Sequence, residues 1–209
     1  MTFDEVVERI TKERVIAIIR LRDSSDIPIV AKAIADGGIS LIEITLDTPD
    51  ALKHLESLSG MMPQCIFGAG TVFGELAAQE AVTAGAQFIV SPIFEEAVVD
   101  VALDNEIVSI AGAFTPNEIF NAEMYGATYI KLFPSSGGGP GYLKALTGPF
   151  PDTLFIPTGG VTLENMKEYL DAGATAVGLG SVLVNDNDVS EGNFDLIRER
   201  AAKARQITG

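Results

Sequence analysis

One cysteine and one histidine are all that the 209 residues contain. The single Cys65 excludes an intrachain disulfide. It opens the apolar stretch "CIFGAG", where a thiol is expected to fill core space rather than attack a substrate. His54, the only imidazole, lies in the helix-like "DALKHLESL". A Cys/His zinc site therefore lacks its ligands, and neither a metal nor a cofactor is expected. Basic side chains are scarce too: 14 Lys and Arg stand against 29 Asp and Glu, a formal charge of −15. Such a surface repels phosphate backbones, which argues against a nucleic-acid partner. A small anionic substrate remains possible where a few basic groups and backbone N–H groups make a local positive field. No apolar run is long enough to span a bilayer. The opening "MTFDEVVERITKERV" has acids and no apolar core of a signal peptide. A cytoplasmic protein without a membrane partner is expected.

What the chain does have is a steady alternation. Apolar, β-branched runs recur every 20 to 25 residues or so: "VIAIIR", "ISLIEITL", "CIFGAG", "QFIVSP", "IVSIAG", "TYIKLF", "TLFIPT" and "AVGLG". Amphipathic segments of helical spacing lie between most of them. Gly38, Gly85, Gly126 and Gly173 stand where helices should stop. Thr115-Pro116, and Thr162 with Asn165, stand where helices should start. Strand–helix repetition without hairpin signals favours a parallel sheet. Eight units favour closure into an α/β (β/α)8 TIM barrel. The segment "TFDEVVERITKER" reads as an extra N-terminal helix under the barrel floor. One domain over residues 1–209 is expected.

In such a barrel the reactive groups sit at the C-terminal strand ends. Alternation along "LIEITL" puts Leu41, Glu43 and Thr45 on one face and the apolar Ile42, Ile44 and Leu46 on the other. The apolar face suits the helices, so Glu43 points inward. By the same parity Tyr129, Lys131 and Phe133 face inward, against Ile130 and Leu132. One reading is a buried ion pair, which contributes little to stability. The other is chemical. Burial disfavours an ammonium, so a neutral lysine amine can attack a ketone and form a Schiff base. The iminium then stabilises a carbanion at the next carbon, and C–C cleavage needs no metal. Glu43 is suited to carrying protons in those steps.

Two Gly-rich turns follow the last two strands: "PTGGVTLEN", with Thr158, Gly159 and Gly160, and "GLGSVLV", with Gly178, Gly180 and Ser181. Barrels bind phosphate there through backbone N–H groups, although tight turns alone would explain the glycines. Ser135 and Ser136 are further hydroxyl candidates. Thr71 ends the third strand and can bond a substrate carboxylate, and Pro92 shapes the wall. Arg20 ends the first strand and suits carboxylate binding, or a rim salt bridge.

These stretches in order, with "GAGTV", "IKLFPSS", "GPGYLKALTGPFP", "PTGGV" and "GLGS" among them, resemble the class I 2-keto-3-deoxy-6-phosphogluconate (KDPG) / 4-hydroxy-2-oxoglutarate (KHG) aldolase family over nearly the whole chain. The resemblance implies Entner–Doudoroff-type carbohydrate metabolism: a Schiff-base lyase that releases pyruvate and an aldehyde, usually as a homotrimer. It implies Lys131 as the Schiff-base lysine and Glu43 as acid/base. Thr71 and Pro92 would line the pyruvyl end, with Phe133 beside the lysine. Thr158, Gly159, Gly160, Gly180 and Ser181 would hold the distal end. Many members carry an arginine where this chain has Asp47, and Arg20 fits a subset that anchors the carboxylate from the first strand. "FPSSGGGPGYLKAL" is also similar to 2-dehydro-3-deoxy-6-phosphogalactonate aldolases. The competing readings are a phosphate-binding barrel isomerase and a non-catalytic trimeric scaffold.

Overall fold

A computed structural model describes all residues from Met1 to Gly209. In chain order the elements are α1 (Phe3–Glu13), β1 (Val15–Ile19), α2 (Ile27–Asp36), β2 (Leu41–Thr45), α3 (Ala51–Met61), β3 (Ile66–Gly70), α4 (Gly74–Thr83), β4 (Phe88–Val90) and α5 (Glu96–Asp104). There follow β5 (Val108–Ala113), α6 (Pro116–Tyr125), β6 (Tyr129–Leu132), α7 (Gly139–Leu146), α8 (Met166–Asp171), β7 (Val177–Leu179), α9 (Asp186–Ser190) and α10 (Phe194–Thr208). The strands are all parallel, in the order β6-β5-β4-β3-β2-β1-β7.

The ring is closed by a segment that is not a regular strand. Residues 153–158, expected as the seventh strand, form only single bridges: Ile130 with Phe155, and Thr158 with Gly178. Toward β6 the segment is well bonded. The Ile156 N–H donates to the Ile130 carbonyl at 2.8 Å and the Thr158 N–H to the Leu132 carbonyl at 3.0 Å. Toward β7 it accepts at Phe155 and Pro157, from Thr175 and Gly178. Pro157 has no N–H to give back, so its own bond is missing from the ladder on that side. The barrel is closed in hydrogen bonds, with seven strands and this one-sided segment in place of eight.

Side-chain parity separates two cores. The helix-facing core of 50 residues contains Ile42, Ile44, Ile130 and Leu132. A second cluster of 12 contains Ile16, Leu41, Ile66, Phe88, Ile110 and Tyr129, which fill the barrel interior. Val6 and Ile10 of α1 belong to that inner cluster, and the Tyr129 hydroxyl donates to the Val7 carbonyl at 3.3 Å. Helix α1 is thus a plug in the barrel floor, as the N-terminal amphipathic pattern indicates. Thr2 caps it reciprocally with Glu5.

The helix ends follow local chemistry. Gly38, Gly85, Gly126 and Gly173 all have φ between +91° and +113°, where a Cβ is costly. Thr115 caps α6 with Glu118 in a capping box, and Pro116 fills the first helical position. Thr162 does not cap α8 directly. Thr162 and Asn165 bond each other in a turn of their own, and the helix starts after Asn165.

Candidate active site

A cavity of about 1140 Å³ opens at the C-terminal ends of the strands. Of the residues singled out in the sequence it is lined by Lys131, Glu43, Thr71, Pro92 and Phe133 at its inner end, with the half-exposed Arg20 beside them, and by Thr158, Gly159, Gly160, Gly180 and Ser181 at its outer end. The plugged floor lies on the opposite side.

Glycines make the inner end. On β3 the inward positions are Gly68 and Gly70. A Cβ at Gly68 would overlap the Phe88 ring, and one at Gly70 would overlap the Glu43 carboxyl. On β5 a Cβ at Gly112 would run into the Pro92 carbonyl. The Glu43 side chain therefore occupies space that its neighbouring strand leaves empty. It is 3% exposed, and its Oε1 is buried without a hydrogen-bond partner. Burial pushes the Glu43 carboxyl above the usual carboxylate range. The positive charges of Lys131 and Arg20 oppose that rise, and Asp47 adds to it.

Lys131 is 5% exposed and projects into the same cavity. Its Nζ lies 5.0 Å from the centre of the Phe133 ring, a cation–π distance. The two groups do not form the buried ion pair that the sequence allowed: all nine salt bridges of the chain lie elsewhere. An amine and an acid in one enclosed space, each without a charged partner in contact, are equipped for nucleophilic addition and proton transfer.

Thr71 has φ +57°, a conformation that a β-branched residue adopts only when its surroundings impose it. Here the Gly70 carbonyl accepts from the Leu46 N–H at 2.8 Å, and the Val72 N–H donates to the Val90 carbonyl at 3.1 Å. Thr71 is pinned between those two bonds. Its hydroxyl accepts from Arg20 Nη2 at 2.7 Å.

The outer end is built from backbone. Gly159 and Gly160 have φ +80° and +91°. The loop after β6 ties down the carbonyl side of this turn: Ser135 N–H donates to the Thr158 carbonyl at 2.9 Å, and Ser136 N–H to the Gly159 carbonyl at 2.8 Å. Asn165 Nδ2 donates to the Gly160 carbonyl at 3.0 Å. The N–H groups of Gly160, Gly180 and Ser181 find no backbone acceptor in the chain. Three unpaired donors on two turns that line one cavity are equipped to hold an anion, as a cradle of backbone groups. Phe133 connects the two ends, since its ring edge lies 3.0 Å from where a Gly159 Cβ would stand.

Ser135 and Ser136 do not line the cavity. The buried Ser135 hydroxyl donates to the Leu132 carbonyl at 2.6 Å and accepts from the Thr158 N–H at 3.0 Å. Both serines shape the cradle from behind. Conversely, Arg22, Asn185 and Asp186 line the rim without a sequence signal, because they lie outside the strands where parity operates. The Arg22 N–H donates to Asp186 Oδ1 at 2.9 Å. Ile18 also lines the cavity, and the parity of β1 could have found it beside Ile16.

The model of the family described as KDPG and KHG aldolase matches residues 6–200. The 2-dehydro-3-deoxy-phosphogluconate aldolase of Pseudomonas aeruginosa is 40% identical over 158 residues, covering 75% of this chain and 72% of that one. A Rhizobium meliloti protein named "Probable 2-dehydro-3-deoxy-6-phosphogalactonate aldolase" is 35% identical, covering 89% and 87%. Among solved structures, KDPG aldolase from Legionella pneumophila, with pyruvate captured at low pH as a covalent carbinolamine intermediate, superposes with a TM-score of 0.86. It is 34% identical, covering 93% of this chain and 95% of that one.

Proposed function

The chain belongs to the KDPG and KHG aldolase family of pyruvate-dependent carbon–carbon lyases, and from that premise we propose that Lys131 carries the Schiff base and Glu43 moves the protons. The observation that carries this is the pair of buried, mutually unbonded groups in one cavity. The Lys131 amine adds to the substrate C2 carbonyl to give a carbinolamine. Loss of water, with Glu43 supplying the proton, leaves an iminium. A base takes the C4 hydroxyl proton, the C3–C4 bond breaks, and its electron pair moves through C3 to the iminium nitrogen. C4 departs as an aldehyde and an enamine remains. Protonation at C3 and addition of water release pyruvate and restore the amine. Glu43, its proton held more tightly by burial, suits a group that must give a proton in one step and take one in another.

Arg20 and Thr71 would bind the substrate carboxylate, with Pro92 and Phe133 as walls. The free N–H groups of Gly160, Gly180 and Ser181, with the Thr158 and Ser181 hydroxyls and the Gly159 turn beside them, would bind a distal phosphate. The substrate proposed is therefore a 2-keto-3-deoxy-6-phospho sugar acid of the gluconate series, cleaved to pyruvate and glyceraldehyde 3-phosphate. 4-Hydroxy-2-oxoglutarate is proposed as a shorter, weaker substrate. We also propose a cytoplasmic homotrimer. Phe73, Leu76, Leu103, Phe120 and Met124 are each at least half exposed on or beside the adjacent helices α4, α5 and α6. These side chains are where we place the contact between copies, and sedimentation reads the oligomeric state.

Borohydride reduction in the presence of pyruvate, followed by peptide mass mapping, tests the mechanism. The adduct is expected on Lys131. No adduct, or an adduct elsewhere, overturns it. Lys131→Met should lower cleavage by at least about 10⁵-fold, the scale of removing a covalent nucleophile. Comparing the gluconate and galactonate phosphates with the unphosphorylated acids tests the substrate.

A further inference from the structure

The cavity contains an acid to which the proposed aldol cleavage gives no role. Asp47 lies just beyond β2, half exposed, with its Oδ2 3.2 Å from Arg20 Nε. The same guanidinium donates from Nη2 to Thr71 Oγ1 at 2.7 Å. An exposed ion pair of two mobile side chains usually contributes little. This one is set in a fixed frame. Residues on both sides of Arg20 are bonded to residues on both sides of Asp47. The Thr45 hydroxyl donates to the Ile19 carbonyl at 3.3 Å, and the Leu21 N–H donates to the Thr48 hydroxyl at 3.3 Å. The two threonine hydroxyls bond each other at 3.2 Å, and the Thr48 N–H donates to the Thr45 carbonyl at 2.9 Å. Thr45 and Thr48 are 0% and 2% exposed. The fold itself therefore fixes where Asp47 stands relative to Arg20. Thr45 is diverted to this bond from the cavity face that parity assigns to it.

Asp47 engages the guanidinium at Nε and Thr71 engages it at Nη2, while Nη1 makes no bond within the chain. We propose that Asp47 is a positioning residue that holds Arg20 against Thr71, leaving its Nη1 end free to receive the substrate carboxylate. This rests on the reading of Arg20 as carboxylate anchor. A tethered arginine gives up less freedom on binding than a loose one, so the contribution falls on affinity for the keto acid and not on the bond-breaking step.

The experiment uses Asp47→Asn, Arg20→Ala and the double variant, with cleavage kinetics and the pyruvate dependence of borohydride trapping. Asp47→Asn is expected to raise KM for the keto acid about tenfold, with kcat within about threefold of the parent. In the condensation direction KM for pyruvate should rise and KM for the aldehyde should not. The double variant should bind no more weakly than Arg20→Ala alone, because the two residues act as one unit. Asp47→Glu, which keeps the charge, should recover part of the loss. An unchanged keto-acid KM in Asp47→Asn, or additive losses in the double variant, overturns the proposal. If Arg20→Ala itself leaves that KM unchanged, the anchor reading fails instead, and Asp47 with it.

Discussion

The two ends of the cavity are made of different materials. The inner end is made of side chains: Glu43, Lys131, Arg20 and Thr71, each held by burial or by a bond to a neighbour. The outer end is made of main chain: the N–H groups of Gly160, Gly180 and Ser181, on two turns of which the first is held from behind by Ser135, Ser136 and Asn165. The difference matches the work proposed for each. Where bonds form and protons move, the groups must titrate or react, and only side chains do so. Where a fixed charge has only to be held, backbone dipoles suffice and cost no side-chain ordering. Two acids and two arginines still line this cavity in addition to Asp186 and Lys131, so a chain of charge −15 offers its substrate a locally balanced field.

Substitutions at the two ends should therefore separate in kinetics. The largest effect among conservative changes is expected at Glu43. Glu43→Gln keeps the shape and removes the proton carrier, and kcat should fall about 10²- to 10⁴-fold, with pyruvate still trapped at high concentration. A kcat within tenfold of the parent would move the proton role to another group. At the outer end, Gly160→Ala puts a Cβ 2.6 Å from Ser136 Cβ at φ +91°. KM for the phosphorylated substrate should rise about 10- to 100-fold at a stability cost of about 1–3 kcal/mol, while 4-hydroxy-2-oxoglutarate cleavage changes little. Equal losses on both substrates would erase the division of labour. Ser181→Ala removes one hydroxyl and leaves the backbone cradle, so about a three- to tenfold rise in the same KM is expected.

A stability measurement sharpens the same contrast. The Glu43 carboxyl is raised above its ordinary value of 4.5 in the folded chain. The folded state thus holds that proton more tightly than the unfolded state. Stability from this group is full below 4.5 and is lost as pH rises through the folded value. Glu43→Gln should melt higher than the parent at neutral pH, by about 1.4 kcal/mol for each pH unit between the two values. The gap should close below pH 4.5. Thermal melts across that range check it, and a gap that grows toward acid contradicts the burial argument.

Much of this was legible in the sequence because strand parity is a hard constraint. A period of two puts Glu43 with Leu41, and Lys131 with Tyr129, whatever the loops do. The inner and outer clusters divide along those same residues. Glycines before strands announced the helix ends, since few other residues accept φ near +100°. Parity fails where the chain leaves the strand. Ser135 and Ser136 sit one turn past β6, and local bonds turn them behind the cradle rather than into it. Pro157 reads as part of an apolar run, yet its missing N–H breaks one side of the ladder. The Arg20–Asp47 contact depends on two buried threonines bonding across neighbouring strand ends, and no one-dimensional pattern encodes that.

The α1 plug in the floor has a kinetic consequence. With Val6 and Ile10 filling the barrel beneath Tyr129, the cavity is a tube open at one end. Whatever occupies the Lys131 end enters and leaves by that one mouth, past the rim of Arg20, Arg22, Asp47 and the glycine turns. On the proposed mechanism the enamine stays bound to Lys131 after cleavage, so the aldehyde leaves before pyruvate. In the reverse direction pyruvate loads before the aldehyde. The helix that seals the barrel leaves both products the same mouth, although it lies on the far side of the chemistry.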